Sequence, residues 1–135
     1  MFLAGVDELD RPVAPIAGLT ISRTLGVNGT RFAALLANEM LGYIEVDNRI
    51  GDAGRIARHD GWADVGNLFV VESHRRRGIA SWLLGQAADW LRLGHVDRLL
   101  DYSTPEQEGY IAFLQHAGFH ELTRTTRGWA RDPHR

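Results

Sequence analysis

Residues 75–81 read Arg-Arg-Arg-Gly-Ile-Ala-Ser, three permanent cations running into a glycine just where an amphipathic apolar pattern begins. A glycine at the mouth of a helix leaves backbone N–H groups free to point outward. Those donors and the helix dipole favour a bound anion, phosphate above all. Gly78 permits close approach of a ligand to the backbone, Ala80 keeps the next turn small, and the arginines add charge. The run is therefore a candidate pyrophosphate cradle. Taken alone, R-x-x-G-x-A also describes a solvated arginine cluster at a helix start, or a nucleic-acid patch. Three cations at the positive end of a helix are slightly unfavourable without a counter-charge, which makes a bound anion the more economical account.

Other chemistries find less support. There is no GxxxxGK[ST] and no GxGxxG, so neither the Walker loop nor the dinucleotide fingerprint is present. No GxSxG elbow occurs. The six histidines, among them His74 beside the cradle, show neither HxH nor HExxH spacing, and cysteine is absent, so no metal site is expected. All 15 basic residues are arginine, which rules out a lysine Schiff base. A formal net charge of −2 argues against a nucleic-acid module. No apolar run approaches the ~20 residues of a membrane span. MFLAGVDELD lacks the basic start of a signal peptide, and together with the absence of cysteine this gives a cytoplasmic location as the expectation.

The elements that must position these residues follow from periodicity. The 135 residues, 44% of them hydrophobic, suit a single domain spanning 1–135 with a real core. Pro12 and Pro15 break any early helix. LTISRTL (19–25) alternates as a half-buried strand does, and Asn28-Gly29 signals a turn. Residues 31–37 and 40–47 read as a hairpin about Asn38-Glu39, 48–61 as a glycine-rich charged loop, and 62–71 as a strand. From Gly78, the apolar positions Ile79, Trp82, Leu83, Ala87, Trp90 and Leu91 recur at helical spacing until Gly94. Residues 96–102 form a strand. Thr104, Pro105 and Gln107 then make a helix start of capping-box type, with Gly118 as its end and 119–131 as a last strand. The four tryptophans, Trp62, Trp82, Trp90 and Trp129, are expected in the core or at an interface. The fold class is mixed α/β, with 64–71 and 96–102 parallel through the helix between them.

LFVVESHRRRGIASWLL resembles the acetyl-CoA-binding motif of the GNAT superfamily of N-acetyltransferases, with Arg75-x-x-Gly78-x-Ala80 at the family's [RQ]-x-x-G-x-[GA]. YIAFLQHAGF (110–119) is similar to the family's later helix ending in Gly-Phe, and FAALLANEMLGYIEVD (32–47) to its central hairpin. Together the matches span about 31–131. The resemblance implies a mixed sheet that splays at the cosubstrate site. The pantetheine arm would pair with the backbone of Leu68, Phe69 and Val70. The pyrophosphate would sit on the N–H groups of Arg75, Arg76, Arg77, Gly78, Ile79 and Ala80, with Ser81 close by. A primary amine would attack the thioester directly, without a covalent enzyme intermediate, while the strand N–H near Val70 polarises the carbonyl.

An acidic residue must accept the amine's proton. Asp64 stands where some family members keep such a base, Glu45 is the second candidate, and His59 and Asp60 lie in the preceding loop. The family's tyrosine, the proton donor to the thiolate, falls on Leu114. Tyr110, one turn earlier on the same helix face, is the substitute candidate, with core packing as its plainer role. The family's two helices between its first and second strands have no room in residues 1–30. A reduced N-terminal region follows, with an acceptor side left open or completed by a second subunit. A homodimer and a small-molecule or peptide amine acceptor are the expected partners. The other reading is a catalytically silent acyl-CoA-binding or regulatory domain.

Overall fold

The computed structural model describes residues 2–26, 29–47, 61–101, 108–122, 124–125 and 128–129. Its elements are β1 (Phe2–Gly5), β2 (Thr20–Gly26), β3 (Gly29–Leu36), β4 (Glu39–Asp47), β5 (Trp62–Val70), α1 (Ile79–Leu93), β6 (Arg98–Asp101), α2 (Glu108–Ala117) and the two-residue strands β7 (His120–Glu121), β8 (Arg124–Thr125) and β9 (Gly128–Trp129). A seven-stranded sheet runs in the order β2-β3-β4-β5-β6-β1-β7, and β8 pairs with β9 apart from it. The mixed α/β class holds. Among the described residues, β5 and β6 make the parallel pair, linked through α1.

Two details, the β3–β4 turn and the last strand, depart from the periodicity reading. The β3–β4 turn is centred on Ala37 and Asn38, both with positive φ (52° and 70°), the geometry whose twist matches a two-residue hairpin. It therefore falls one residue before the expected Asn38-Glu39. The α1 helix ends at Leu93 with Gly94 as its C-cap, as the spacing predicts. His95 after it takes the left-handed conformation (φ 62°). Val96 N–H bonds back to the Leu91 carbonyl at 2.9 Å and His95 N–H to that of Arg92 at 3.1 Å, a Schellman ending. The chain after Gly118 forms short strands rather than one. The Thr104–Gln107 capping box, His59 and Asp60 lie outside the described residues.

α1 lies on one face of the sheet. Its buried residues Ile79, Trp82, Leu83, Leu84, Ala87, Ala88 and Leu91 share one core with Phe32, Ala34, Ile44, Val46 and Val65 of β3, β4 and β5. Trp90 meets Phe32 edge-on, with centroids 5.6 Å apart. Trp82 is buried, whereas Trp62 is 41% exposed. The side chains of β4 and β5 that alternate away from this core, Tyr43, Glu45, Asp64 and Phe69, point to the opposite face.

Two features of β5 prepare the site. Its parallel pairing with β6 covers only Trp62↔Arg98, Ala63↔Leu99 and Asp64↔Leu100, whereas its antiparallel pairing with β4 continues to Gly42↔Val70. Among the described residues the parallel pairing ends at Asp64. The β4 register shifts between Glu45 and Val46, which face Asn67 and Val65, so Gly66 has no opposite number. A bulge of this kind bends its strand, and it falls just beyond the described β5–β6 pairs. The stretch between β1 and β2 holds a 3-10 turn at Val6–Glu8 and a hydrogen-bonded turn at Ile16–Leu19, rather than α-helices. No described helix is long and apolar enough to cross a membrane.

Candidate active site

The turn from β5 into α1 is built from conformations that ordinary side chains avoid. Val71–Arg75 make a tight turn, with His74 N–H bonded to the Val71 carbonyl and Arg75 N–H to that of Glu72, at 3.0 and 3.3 Å. Arg76 then takes φ 65° and Gly78 φ 88°. Left-handed backbone alternating with ordinary backbone turns successive N–H groups toward one concavity, an anion nest. At Arg76 such a conformation costs free energy, and strain of this sort concentrates at functional sites. Gly78 is the N-cap of α1 and no side chain caps it. The first backbone bond into the helix is Trp82 N–H to the Gly78 carbonyl, at 3.0 Å. Among the described residues no protein acceptor meets the N–H groups of Arg76 to Ser81, the orphan donors of a helix start.

These donors border a cavity of about 620 Å³ lined by Leu68, Phe69 and Val70 of β5, by His74, Arg75, Arg76 and Gly78 to Ser81 of the turn and helix start, and by Gly109, Tyr110 and Phe113 of α2. Ten residues proposed from the sequence thus meet on one cavity: Leu68, Phe69, Val70, Arg75, Arg76, Gly78, Ile79, Ala80, Ser81 and Tyr110. Arg77, Asp64 and Glu45 do not line it. Gly109 and Phe113 were not singled out as site residues. Phe113 stacks on Tyr110 one turn away on the same helix, with centroids 6.0 Å apart; that both face the cavity depends on where α2 lies, which helix periodicity does not reveal. The arginines differ in role. Arg75 turns its Nε back to donate to the Val70 carbonyl at 2.8 Å, tying the end of β5 to the turn.

The three proposed acid–base residues are arranged differently from one another. Both oxygens of Glu45 are engaged. Oε2 accepts from Nε and Nη2 of Arg31 at 2.9 and 2.7 Å, and Oε1 from Asn67 at 2.8 Å. The Asn67 hydrogen bond first, and the Arg31 bonds after it, hold this carboxyl below the usual range. The Arg31 guanidinium in turn lies 3.9 Å from the centroid of the Tyr43 ring. Tyr110 donates its hydroxyl to Oδ2 of Asp101 at 2.6 Å. Burial, and then the Asp101 charge and hydrogen bond, push this phenol far above its ordinary value, so it stays protonated throughout the range of enzyme assays. Asp64 is half-buried at the last β5–β6 pair among the described residues. Leu114 is 1% exposed in the core. Among the described residues, no group of three or more His, Asp or Glu is placed to hold a metal ion.

A profile described as "Acetyltransferase (GNAT) family" matches residues 7–119. The chain belongs to this family. It is an acyltransferase. Solved structures similar to it include aminoglycoside N-acetyltransferase AAC(6')-Iy in complex with CoA, with TM-score 0.61, 20% identity, and 79% of this chain and 68% of that chain covered. AAC(6')-Ih from Acinetobacter baumannii matches with TM-score 0.60 at 19% identity, over 79% of this chain and 72% of that one. The enzyme meta-AAC0020 from an uncultured soil metagenomic sample, in complex with sisomicin, matches with TM-score 0.60 at 14% identity, over 79% and 68%. At these identities the likeness is one of fold. Among curated proteins, no sequence matches.

Glu45 generates a stability prediction. Its folded-state pKa is lowered, so its contribution is complete above the ordinary glutamate pKa of about 4.3 and is lost as pH falls through the lower folded value. Glu45→Gln should therefore be less stable than the parent at neutral pH, and the gap should narrow on acidification below about pH 4. Urea midpoints measured across the acid range check this; a gap independent of pH contradicts it.

Proposed function

We propose that the protein transfers an acetyl group from acetyl-CoA to a primary amine, by direct attack of the amine on the thioester. The observation that carries this reading is the row of N–H donors from Arg76 to Ser81 that meet no acceptor among the described residues, beside a cavity that also runs along Leu68 to Val70 of β5. The cavity's volume lies in the range of cosubstrate sites. Donors at a helix start suit a diphosphate, and an unpaired strand edge suits the amides of a pantetheine arm. Support comes also from the solved relatives, one named as a complex with CoA and another with sisomicin.

In this proposal the N–H groups of Arg76 to Ser81 hold the diphosphate, with Arg76 and Arg77 adding charge. The backbone of Leu68, Phe69 and Val70 aligns the arm, and Arg75 keeps the strand end from drifting by holding the Val70 carbonyl. Acetyl-CoA supplies the thioester carbonyl. The amine nitrogen bonds to that carbon, the C–S bond breaks, and the thiolate takes its proton from solvent, since Leu114 has none to give. Asp64, half-buried on β5 at the position where the resemblance puts a base, accepts the amine's proton directly or through water. Glu45 is a poor base, because a carboxylate with both oxygens engaged and a lowered pKa gains little from protonation. Its work is to fix Arg31 and Asn67. Tyr110 is a wall of the cavity and joins α2 to the end of β6 through Asp101.

The acceptor in this reading is a small-molecule amine entering from the side where the chain between β1 and β2 forms no helices. A second copy completing that side, against the face that carries the exposed rings of Trp62 and Phe69, belongs to the same proposal.

Thermal stability with and without acetyl-CoA, followed by CoA release across a panel of amines, tests this reading. Stabilisation by acetyl-CoA and release with at least one amine are expected. Stabilisation without release on any amine would leave a binding domain instead. Gly78→Val should abolish the stabilisation while far-UV circular dichroism is retained, because valine resists the φ of 88° found there. Asp64→Asn should lower kcat on the order of a hundredfold, with little change in the KM for acetyl-CoA and loss of the acid limb of the pH profile. An unaltered profile would remove Asp64 from the proton path.

A further inference from the structure

We infer that Leu9–Ile16 is a strap bracing the phosphate-binding end of α1, with Pro15 a positioning residue for the amides around Gly78 and Gly85 the seat that admits the strap. This inference rests on the cradle reading above. After the Val6–Glu8 turn the chain has no regular structure until β2. It runs back along α1 and touches it at three levels.

At the last turn of α1, the Arg92 guanidinium, only 16% exposed, donates through Nη2 to the carbonyls of Val6 and Leu9 at 2.9 and 3.2 Å. It pairs with Asp7 at 3.2 Å and with Asp89, and Asp89 also receives Arg11 at 3.4 Å. In the middle of the helix Gly85 is buried. A β-carbon there would lie 3.0 Å from Cα of Pro12 and 3.1 Å from the Asp10 carbonyl oxygen, so the strap's backbone rests directly on the helix. At the helix start, a β-carbon on Gly78 would lie 3.2 Å from Cβ of Pro15.

Positions 92, 85 and 78 thus meet 9, 12 and 15 in turn, and the strap runs antiparallel to the helix. Ile16 packs against the core and Leu19 is buried, which fixes the far end. Two prolines restrict the freedom of the segment between. Pro15 does not line the cavity. It abuts Gly78 from outside it, at the residue whose left-handed conformation aims the donors. A strained conformation persists only where its surroundings over-determine it, and Pro15 is one of those surroundings.

The test is calorimetric titration of acetyl-CoA into the parent protein, Gly85→Ala, Pro15→Gly and the double variant, with circular dichroism on each. Alanine favours the helix over glycine, so Gly85→Ala keeps α1 while its methyl group displaces the strap, some 10 Å along the helix from Gly78. The expected result is affinity weakened about tenfold in each single variant, with KM for acetyl-CoA rising in step and kcat nearly unchanged. The double variant should be little worse than either single one, because both act through the same contact. If the parent binds and both folded single variants stay within about twofold of it, the strap is packing alone and the inference is overturned. Should Gly85→Ala fail to fold, the exposed Pro15→Gly decides by the same criterion. A parent that does not bind acetyl-CoA sinks the cradle reading itself, a distinguishable failure.

Discussion

A helix must leave its first N–H groups without partners inside itself, and this chain leaves those of α1 without acceptors among its described residues. The usual remedies are missing. Gly78 at the N-cap offers no side-chain oxygen, and no acidic residue stands in the first turn. Arginines precede the helix instead, so positive charge gathers where the dipole is already positive. In the proposed reading an anion satisfies the arrangement, and the cavity between the end of β5 and α2 is where the rest of an elongated ligand would lie.

The acid–base groups follow a related logic of commitment. Glu45 gives both oxygens to Arg31 and Asn67, and Tyr110 gives its proton to Asp101. Each is held in one protonation state and serves as a fixed part of the frame. The chemistry in the proposal leans on backbone donors and on Asp64 of β5. An acyl transfer from a thioester demands little more, since the leaving thiolate is stable and the attacking amine needs only to be made neutral.

The candidate site was legible in the sequence because its signal is local. A glycine, a run of arginines and a helical apolar stripe all sit within twenty residues, and the structure brings Leu68–Val70, Arg75, Arg76 and Gly78–Ser81 onto one cavity. What is non-local was not legible. The strand β1 is four residues long, and its partners Leu100 and His120 are far along the chain, so nothing near Leu3 announces the pairing. The Pro12–Pro15 segment read only as a helix breaker. Its course along α1 depends on Arg92 and Gly85. The end of α1 at Gly94 was legible, but not that His95 would take the left-handed conformation after it.

Amide resonances of the labelled protein, followed by NMR as acetyl-CoA is added, test the central claim most directly. The N–H signals of Arg76 to Ser81 should show the largest shifts and gain protection from solvent exchange, ahead of every other segment. If acetyl-CoA binds while those signals stay in place and another region moves, the helix start is not the anion site, and this account of the protein is wrong.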